Sequence, residues 1–497
     1  MLQSYESTRN SLLKSTASKA VLKGIAEDGG LFLMRDLEKK KIDINNLAGK
    51  NYLEIAEIIL SIMLDDFPVD KIKECVINAY TNKFSNDEIT PVVKVGENYV
   101  TELFHGPTAA FKDVALSILP HLMTASYEMN HMDGEVIILV ATSGDTGKAA
   151  LEGFKDVKGT KIIVFYPDGG VSQVQKAQMV TQEGKNTFVC AIKGNFDDAQ
   201  TGVKNIFSND KINNELSAKN QVLSSANSIN IGRLVPQIVY YFYSYMKLVE
   251  TEAVKSGDKV NFAVPTGNFG NILAGYYAKI LGLPINKLIC ASNENNVLYD
   301  FINTGVYDKN RKFYKTISPS MDILVSSNLE RLLYYLSNKD NDTVKMFMEQ
   351  LNKSGKYEIT NEMFKKLNED FYAGCVFNED VEETIKTVYE KFGYLIDTHT
   401  AVAYKVINDY KINTGDNTLC IVLSTASPYK FSKSVYKSLF GRAGDDEFKL
   451  MEEIWAESGT SIPKNLRNLQ NKTVIHKDIC NVNEMDNYVK YISDRSE

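Results

Sequence analysis

The stretch His105-Gly106-Pro107-Thr108-Ala109-Ala110-Phe111-Lys112-Asp113 places one amine where it could do covalent chemistry. A β-like run, Tyr99 to Phe104, precedes it and a helix-like run, Val114 to Leu119, follows, with Gly106 and Pro107 turning the chain between them. Lys112 therefore falls in the first helical turn, where the positive end of the dipole and the unpaired N–H groups disfavour an ammonium. That position lowers the cost of a neutral amine, the form that attacks an aldehyde. The competing reading is a solvated surface lysine with Asp113 as an ordinary first-turn acid beside it.

Three other stretches share a second design, in which a short apolar run ends in a loop of glycine, hydroxyl and amide residues that opens a helix. Ala141 to Gly147 follows Val136–Val140 and precedes Lys148–Phe154; Pro265 to Asn271 follows Val260–Val264; Ser424 to Pro428 follows Leu419–Leu423. Ligands of open α/β sheets sit at the carboxyl ends of strands, where such turns let backbone N–H groups converge on an anion. Gly147-Lys148 does not make a nucleotide P-loop, because Thr142 stands where Gly is needed and Ala149 where Ser or Thr is needed. Gly267 and Gly270 do not have the spacing of a dinucleotide fingerprint. Any one of these loops could be a plain turn. Together with a helix-start lysine, the three point to a bound phosphate cofactor.

The elements that must position these loops read as an α/β fold. Candidate strands Val136–Ala141, Lys161–Phe165, Thr187–Ile192, Gln221–Ala226, Val260–Val264, Lys287–Ala291 and Leu419–Leu423 alternate with helical stretches such as Ser172–Gln182, Asp197–Phe207, Ile231–Val249 and Ile272–Leu281. That alternation predicts right-handed βαβ units and parallel-rich sheets flanked by helices. Residues 1–95 read as a mostly helical N-terminal domain. Leu53, Ala56, Ile59, Leu60 and Met63 share one helical face; Asp70 caps a second helix carrying Ile72, Val76, Ile77 and Tyr80; and Asp28-Gly29-Gly30 turns into a short strand. The expected division is a large domain from 96–130 and 228–445, a small α/β domain over 131–227, a helical insertion at about 304–397, and a helical tail over 446–497.

Over most of its length the chain resembles the threonine synthase family, within the tryptophan-synthase-β-like, fold type II group of pyridoxal phosphate (PLP) enzymes. The resemblance is carried by YESTR (5–9), LFHGPTAAFKD (103–113), SGDTG (143–147), YPDGGVSQVQKAQM (166–179), GNFDDAQ (194–200), NSINIGRLVPQ (227–237), PTGNFGN (265–271), HTAV (399–402) and LSTASPYKF (423–431). Departures are Asn10, where Gly is more usual, Ser427 where the family often has His, Tyr429 where it often has Ala, and Ile231-Gly232 in place of an aromatic-small pair.

The resemblance implies pyridoxal 5'-phosphate as cofactor and Lys112 as the catalytic lysine that binds its aldehyde. It implies that Gly267, Asn268, Phe269, Gly270 and Asn271 cradle the cofactor phosphate, and that Thr425, with Ser424 as a second candidate, faces the ring nitrogen. Candidate substrate residues are Ser143, Gly144, Asp145, Thr146, Asn227, Ser228 and Arg233. The implied reaction turns O-phospho-L-homoserine and water into L-threonine and phosphate. Arg233, Arg9 and Lys176 are candidates for the charge facing the leaving phosphate; the alternative for Arg233 is an ion pair with an acid on a neighbouring element, and for Arg9 and Lys176 a solvated side chain. His105 reads as a turn residue and His399 as a helix-start packing residue. Tyr240, Tyr241, Phe242, Tyr243 and Tyr245 read as core or subunit interface. One rival is another fold type II enzyme, a dehydratase or cysteine synthase, which usually carries Asn where this chain has Asp145. A scaffold that merely keeps the fold is the other.

Composition bounds the rest. The chain has 497 residues, 44% hydrophobic and 24% charged, with a net charge of -7, so neither nucleic acid nor an anionic membrane is expected as partner. The 6 cysteines, at 75, 190, 290, 375, 420 and 480, stand singly, which argues against a disulfide framework and against a metal site. Met1 to Asn10 is polar, with no signal-peptide pattern, and no run approaches a membrane span. A cytoplasmic enzyme, monomer or homodimer, acting on a small molecule is expected.

Overall fold

The computed structural model describes residues 3–132, 134–142, 144–442 and 444–495, with all of their side chains except that of Asp197. Two sheets organise it. The larger has six strands in the order Phe371–Cys375, Ile285–Ser292, Val260–Pro265, Cys420–Ser424, Asn98–Glu102 and Val92–Val95. All its pairs are parallel except the last, in which Val92–Val95 folds back antiparallel on Asn98–Glu102. The smaller has five strands, all parallel, in the order Asp478–Asn481, Thr187–Lys193, Thr160–Pro167, Glu135–Ala141 and Gln221–Ser225. The interior strands Val260–Pro265 and Thr160–Pro167 are buried at every position, as continuous apolar runs covered on both faces require. The seven strands expected from the sequence all form, each within two residues of its expected ends.

Residues 1–95 depart in detail from a helical reading. Tyr5–Ser7 is the middle strand of an antiparallel sheet with Asn10–Ser15 and Phe32–Met34, ahead of the helices Tyr52–Met63 and Val69–Tyr80. Asn51 and Glu54 close a capping box on the first of these helices. The second begins after Pro68 with no side-chain cap, so Asp70 is a first-turn acid, not the cap. Its buried face is Ile72, Cys75, Val76, Ala79 and Tyr80; Ile77 is exposed.

Two further expectations change. Residues 304–397 are not purely helical: Val306–Asp308 and Lys356–Glu358 pair as a two-stranded antiparallel ladder, and Phe371–Cys375 is an edge strand of the six-stranded sheet. The sequence Phe364–Phe371 reads as helix because its apolar spacing is helical, but the helix Asn361–Asp370 gives way where strand partners become available. The tail is not purely helical either. Asp478–Asn481 adds a fifth strand to the smaller sheet, between the helices Glu447–Ser458 and Met485–Ser493. No described helix is long and apolar enough to cross a membrane.

Candidate active site

Lys112 is the first residue of a five-residue helix, Lys112–Leu116, and its side chain is only 12% exposed, so it is not a solvated lysine. Burial lowers its pKa, repulsion from Lys430 and Arg233 lowers it further, and Asp145 opposes them. The helix-start argument expects a lysine of lowered pKa at this position, and burial is the largest cause of the lowering. The loop is stitched to the strand end opposite: Phe111 N donates to Thr425 O (2.8 Å) and Ser427 N to Ala109 O (3.0 Å). Asp113 is no solvated acid; it is buried and accepts from Thr108 N (2.8 Å) and Thr108 Oγ1 (2.5 Å), while burial raises its pKa to about 6 against those bonds. Gly106 has to be glycine, since a Cβ there would come within 2.4 Å of Asp113 Cβ.

The second loop is knotted by Thr142 Oγ1, which accepts from Gly144 N and Gly147 N, both at 2.9 Å. Gly144 has φ 140°, open only to glycine, and the helix starts at Asp145, ahead of the expected Lys148. The Asp145 carboxylate is 3% exposed, with Oδ2 3.8 Å from Lys112 Nζ and Oδ1 2.9 Å from Lys430 Nζ. Gln175 Nε2 also donates to Oδ1, at 2.9 Å. Burial pushes the Asp145 carboxyl up, but the charges of Lys430 and Lys112 outweigh it and hold it below the usual carboxylate range. Ser143, a candidate from the sequence, lies outside the described residues.

The third loop ends at Phe269, a bulky residue in the left-handed region (φ 61°, ψ 2°) just before the 12-residue helix Gly270–Leu281. That conformation persists because the loop is held from behind: Asn328 N and Nδ2 donate to Asn268 O, and Ser326 Oγ donates to Gly267 O. Arg331, fully buried, donates in turn to Asn328 Oδ1, to Ile229 O and to Phe32 O. With the carbonyls engaged behind, the N–H groups of Gly267 through Asn271 have no protein acceptor among the described residues. Asn271 Oδ1 accepts from Tyr240 and Tyr241, whereas its Nδ2 is buried without a partner. The aromatic helix is therefore core, as expected, and also supports this loop.

These loops line one cavity of about 310 Å³, within the roughly 300–1,000 Å³ typical of small-molecule and cofactor sites. Of the residues singled out in the sequence, it brings together Lys112, Asp145, Thr146, Asn227, Ser228, Arg233, Gly267 to Asn271, and Thr425. Gly144 shapes the turn without lining the cavity, and Ser424 Oγ is engaged by Thr400 Oγ1 at 2.9 Å. Arg233 is 3% exposed, donates through Nη1 to Ala226 O, leaves Nε unpartnered, and pairs with no carboxylate among the described residues. Burial lowers its pKa to about 10.

Arg9 is elsewhere, in a bidentate pair with Glu330 at 2.8 Å, so the solvated reading is corrected to an ion pair. Lys176 is exposed and 3.4 Å from Asp168, and His105 is 2.7 Å from Glu102. Ser427 caps the turn Pro428–Phe431 through Tyr429 N. His399 does stand at a helix start, with Nδ1 2.7 Å from Asp397 Oδ2, but it also borders the cavity, where Nε2 accepts from Ser320 N at 3.1 Å. Sequence reasoning missed Lys430 and Gln175. A lone lysine inside the apolar run Pro428 to Phe431 was the one available signal.

The chemistry of this donor set fits the expected cofactor. A row of unpaired N–H groups at a helix start suits its phosphate, and a buried lysine of depressed pKa suits its aldehyde. Comparison with known proteins agrees. Residues 4–80 match the family model "Threonine synthase N terminus", 89–425 "Pyridoxal-phosphate dependent enzyme" and 400–483 "Threonine synthase, C-terminal". Threonine synthase of Saccharomyces cerevisiae is 36% identical over 469 residues, covering 88% of this chain and 90% of its own. Threonine synthase-like 1 of Homo sapiens is 40% identical over 437 residues, 85% of this chain; the match spans 58% of that longer protein. The crystal structure of PLP-bound threonine synthase from Brucella melitensis superposes with a TM-score of 0.87 at 35% identity, covering 99% of both chains.

Proposed function

The chain belongs to the threonine synthase family, and from that premise we propose that it converts O-phospho-L-homoserine and water into L-threonine and phosphate with pyridoxal 5'-phosphate as cofactor. The observation that carries this reading is the meeting, in one cavity, of a buried lysine, an anion-ready helix start and a buried arginine lacking a counter-charge. When bound, the cofactor supplies an aldehyde for the substrate amine and a conjugated ring that stabilises negative charge at Cα.

The protein's own groups do the rest. Gly267 to Asn271 hold the cofactor phosphate through their N–H groups and the dipole of the helix Gly270–Leu281. Thr425 offers the ring nitrogen a neutral hydroxyl, which gives no electrostatic incentive to protonate it. With the cofactor bound, Lys112 Nζ would take the Cα proton and then a Cβ proton as phosphate leaves Cγ, and would return the two protons to Cγ and Cα, while water adds its hydroxyl at Cβ and its other proton departs with the phosphate. Arg233 faces the departing phosphate: an unpaired buried guanidinium costs several kcal/mol (about 3–5) and is relieved by an anion. Thr146, Asn227 and Ser228 offer hydroxyl and amide groups to the substrate carboxylate, and Gly144 shapes the turn ahead of Thr146.

We place the enzyme in the cytoplasm as a monomer or homodimer that binds neither nucleic acid nor membrane, supported by its net charge of -7 and its free cysteines. The test is phosphate release from O-phospho-L-homoserine, measured beside ammonia release from serine and threonine. Phosphate with stoichiometric threonine is expected; ammonia alone would reassign the chain to the dehydratases. Lys112→Ala is expected to lose both turnover and the visible absorbance of the lysine-bound cofactor, and retention of either would remove Lys112 from its role.

A further inference from the structure

Lys430 lies in the turn Pro428–Phe431, just past the strand Cys420–Ser424, and its side chain is 0% exposed. A lysine is seldom buried so completely without a paired charge. Its Nζ donates to Thr108 O at 2.9 Å and lies 2.9 Å from Asp145 Oδ1. The other oxygen of that carboxylate is the one 3.8 Å from Lys112 Nζ. One carboxylate thus faces two amines, and the shorter contact goes to Lys430.

The charged groups around Lys112 are few, and each comes from a different place. Asp145 comes from the helix Asp145–Phe154, Lys430 from its turn, Arg233 from the helix Ile231–Leu234, and Asp113 from the helix of Lys112 itself. Asp113 is turned toward Thr108 and occupied there. Asp145 is therefore the group able to hold Lys112 as an ammonium. Were Lys430 absent, that carboxylate would be left with one cation, and Lys112 would have to supply it.

Resting on the reading above, we propose that Lys430 is a positioning residue for the reaction: by holding Asp145 in an ion pair of its own, it keeps that carboxylate from fixing Lys112 as an ammonium. Asp145 then orients the lysine while favouring its charged form less than an unshared carboxylate would. Gln175 holds the carboxylate in place from the side.

The test reads Lys112 in the cofactor-free protein. Trace acetylation with acetic anhydride across the neutral-to-alkaline range, quantified by mass spectrometry of the Lys112 peptide, gives the pH midpoint of that amine. Lys430→Met is expected to move the midpoint up by about 1 pH unit. Lys430→Arg keeps the charge and is expected to leave it at the wild-type value, and Asp145→Asn is expected to move it down. A midpoint unmoved or lowered in Lys430→Met overturns the proposal. Should that variant fail to fold, Asp145→Asn decides alone, because an unmoved midpoint there means the carboxylate does not act on Lys112. Failure of threonine formation would leave this readout intact, so the two readings fall separately.

Discussion

Arg233 is the side chain whose surroundings most require a missing partner. It is buried, its Nε has no acceptor, and its positive charge has no carboxylate beside it among the described residues. On the proposed function the substrate phosphate would be that partner, and the loop Gly267 to Asn271 would hold the cofactor phosphate. Arg233→Ala is therefore expected to raise KM for O-phospho-L-homoserine roughly 30- to 100-fold, matching about 2–3 kcal/mol for a charge-assisted hydrogen bond. Cofactor affinity, followed by absorbance titration, is expected to change little, and equal loss of both would contradict this division of anions. Asp113 makes the complementary point, for its hydrogen bonds to Thr108 hold the turn before Lys112 and its charge acts on that amine less than Asp145, Lys430 or Arg233 does.

At the level of elements, the site depends on how closely two helices approach. The helix Asp145–Phe154 runs against Lys112–Leu116, and at Gly153 a Cβ would come within 2.1 Å of Leu116 O. Backbone cannot give way as a flexible side chain can, so Gly153→Ala must push the helices apart and lengthen the contact of Asp145 with Lys112. We expect a loss of about 1–3 kcal/mol in denaturant unfolding, with cofactor binding weakened as well. Full retention of both would show that the approach is not needed. The phosphate loop shows the same dependence, since Asn328 and Arg331 hold its carbonyls from behind.

At the scale of the whole molecule, the N-terminal segment is bound into the catalytic framework. The helix Leu119–Met129 packs against Val69–Tyr80 on one side and Asp145–Phe154 on the other, with His121 in the groove between them. Burial and then the charge of Lys83 lower the His121 pKa from 6.5 to about 4. Between those values the unfolded chain binds a proton that the native protein refuses, so stability falls as pH drops through that window. From pH 7 to pH 5 the loss is about 2 kcal/mol. His121→Gln is expected to flatten the dependence by that amount in urea melts, and an unchanged slope would show that His121 binds its proton equally in both states.

The sequence by itself determined the strands, the three loops and the lysine, because each rests on local physics. Short continuous apolar runs, Gly and Pro turns and a helix start are written in neighbouring residues, so Val260–Pro265, Gly267 to Asn271 and Lys112 were legible without a partner. Phe371–Cys375 and Asp478–Asn481 were not, since an edge strand is decided by which neighbour offers its hydrogen bonds. The ionisation of the site was equally hidden. Lys430, Asp145 and Arg233 lie on separate elements with no spacing rule to connect them, and only folding brings Lys430 to 2.9 Å from Asp145, lets all three charges act on Lys112, and removes the water that would screen them.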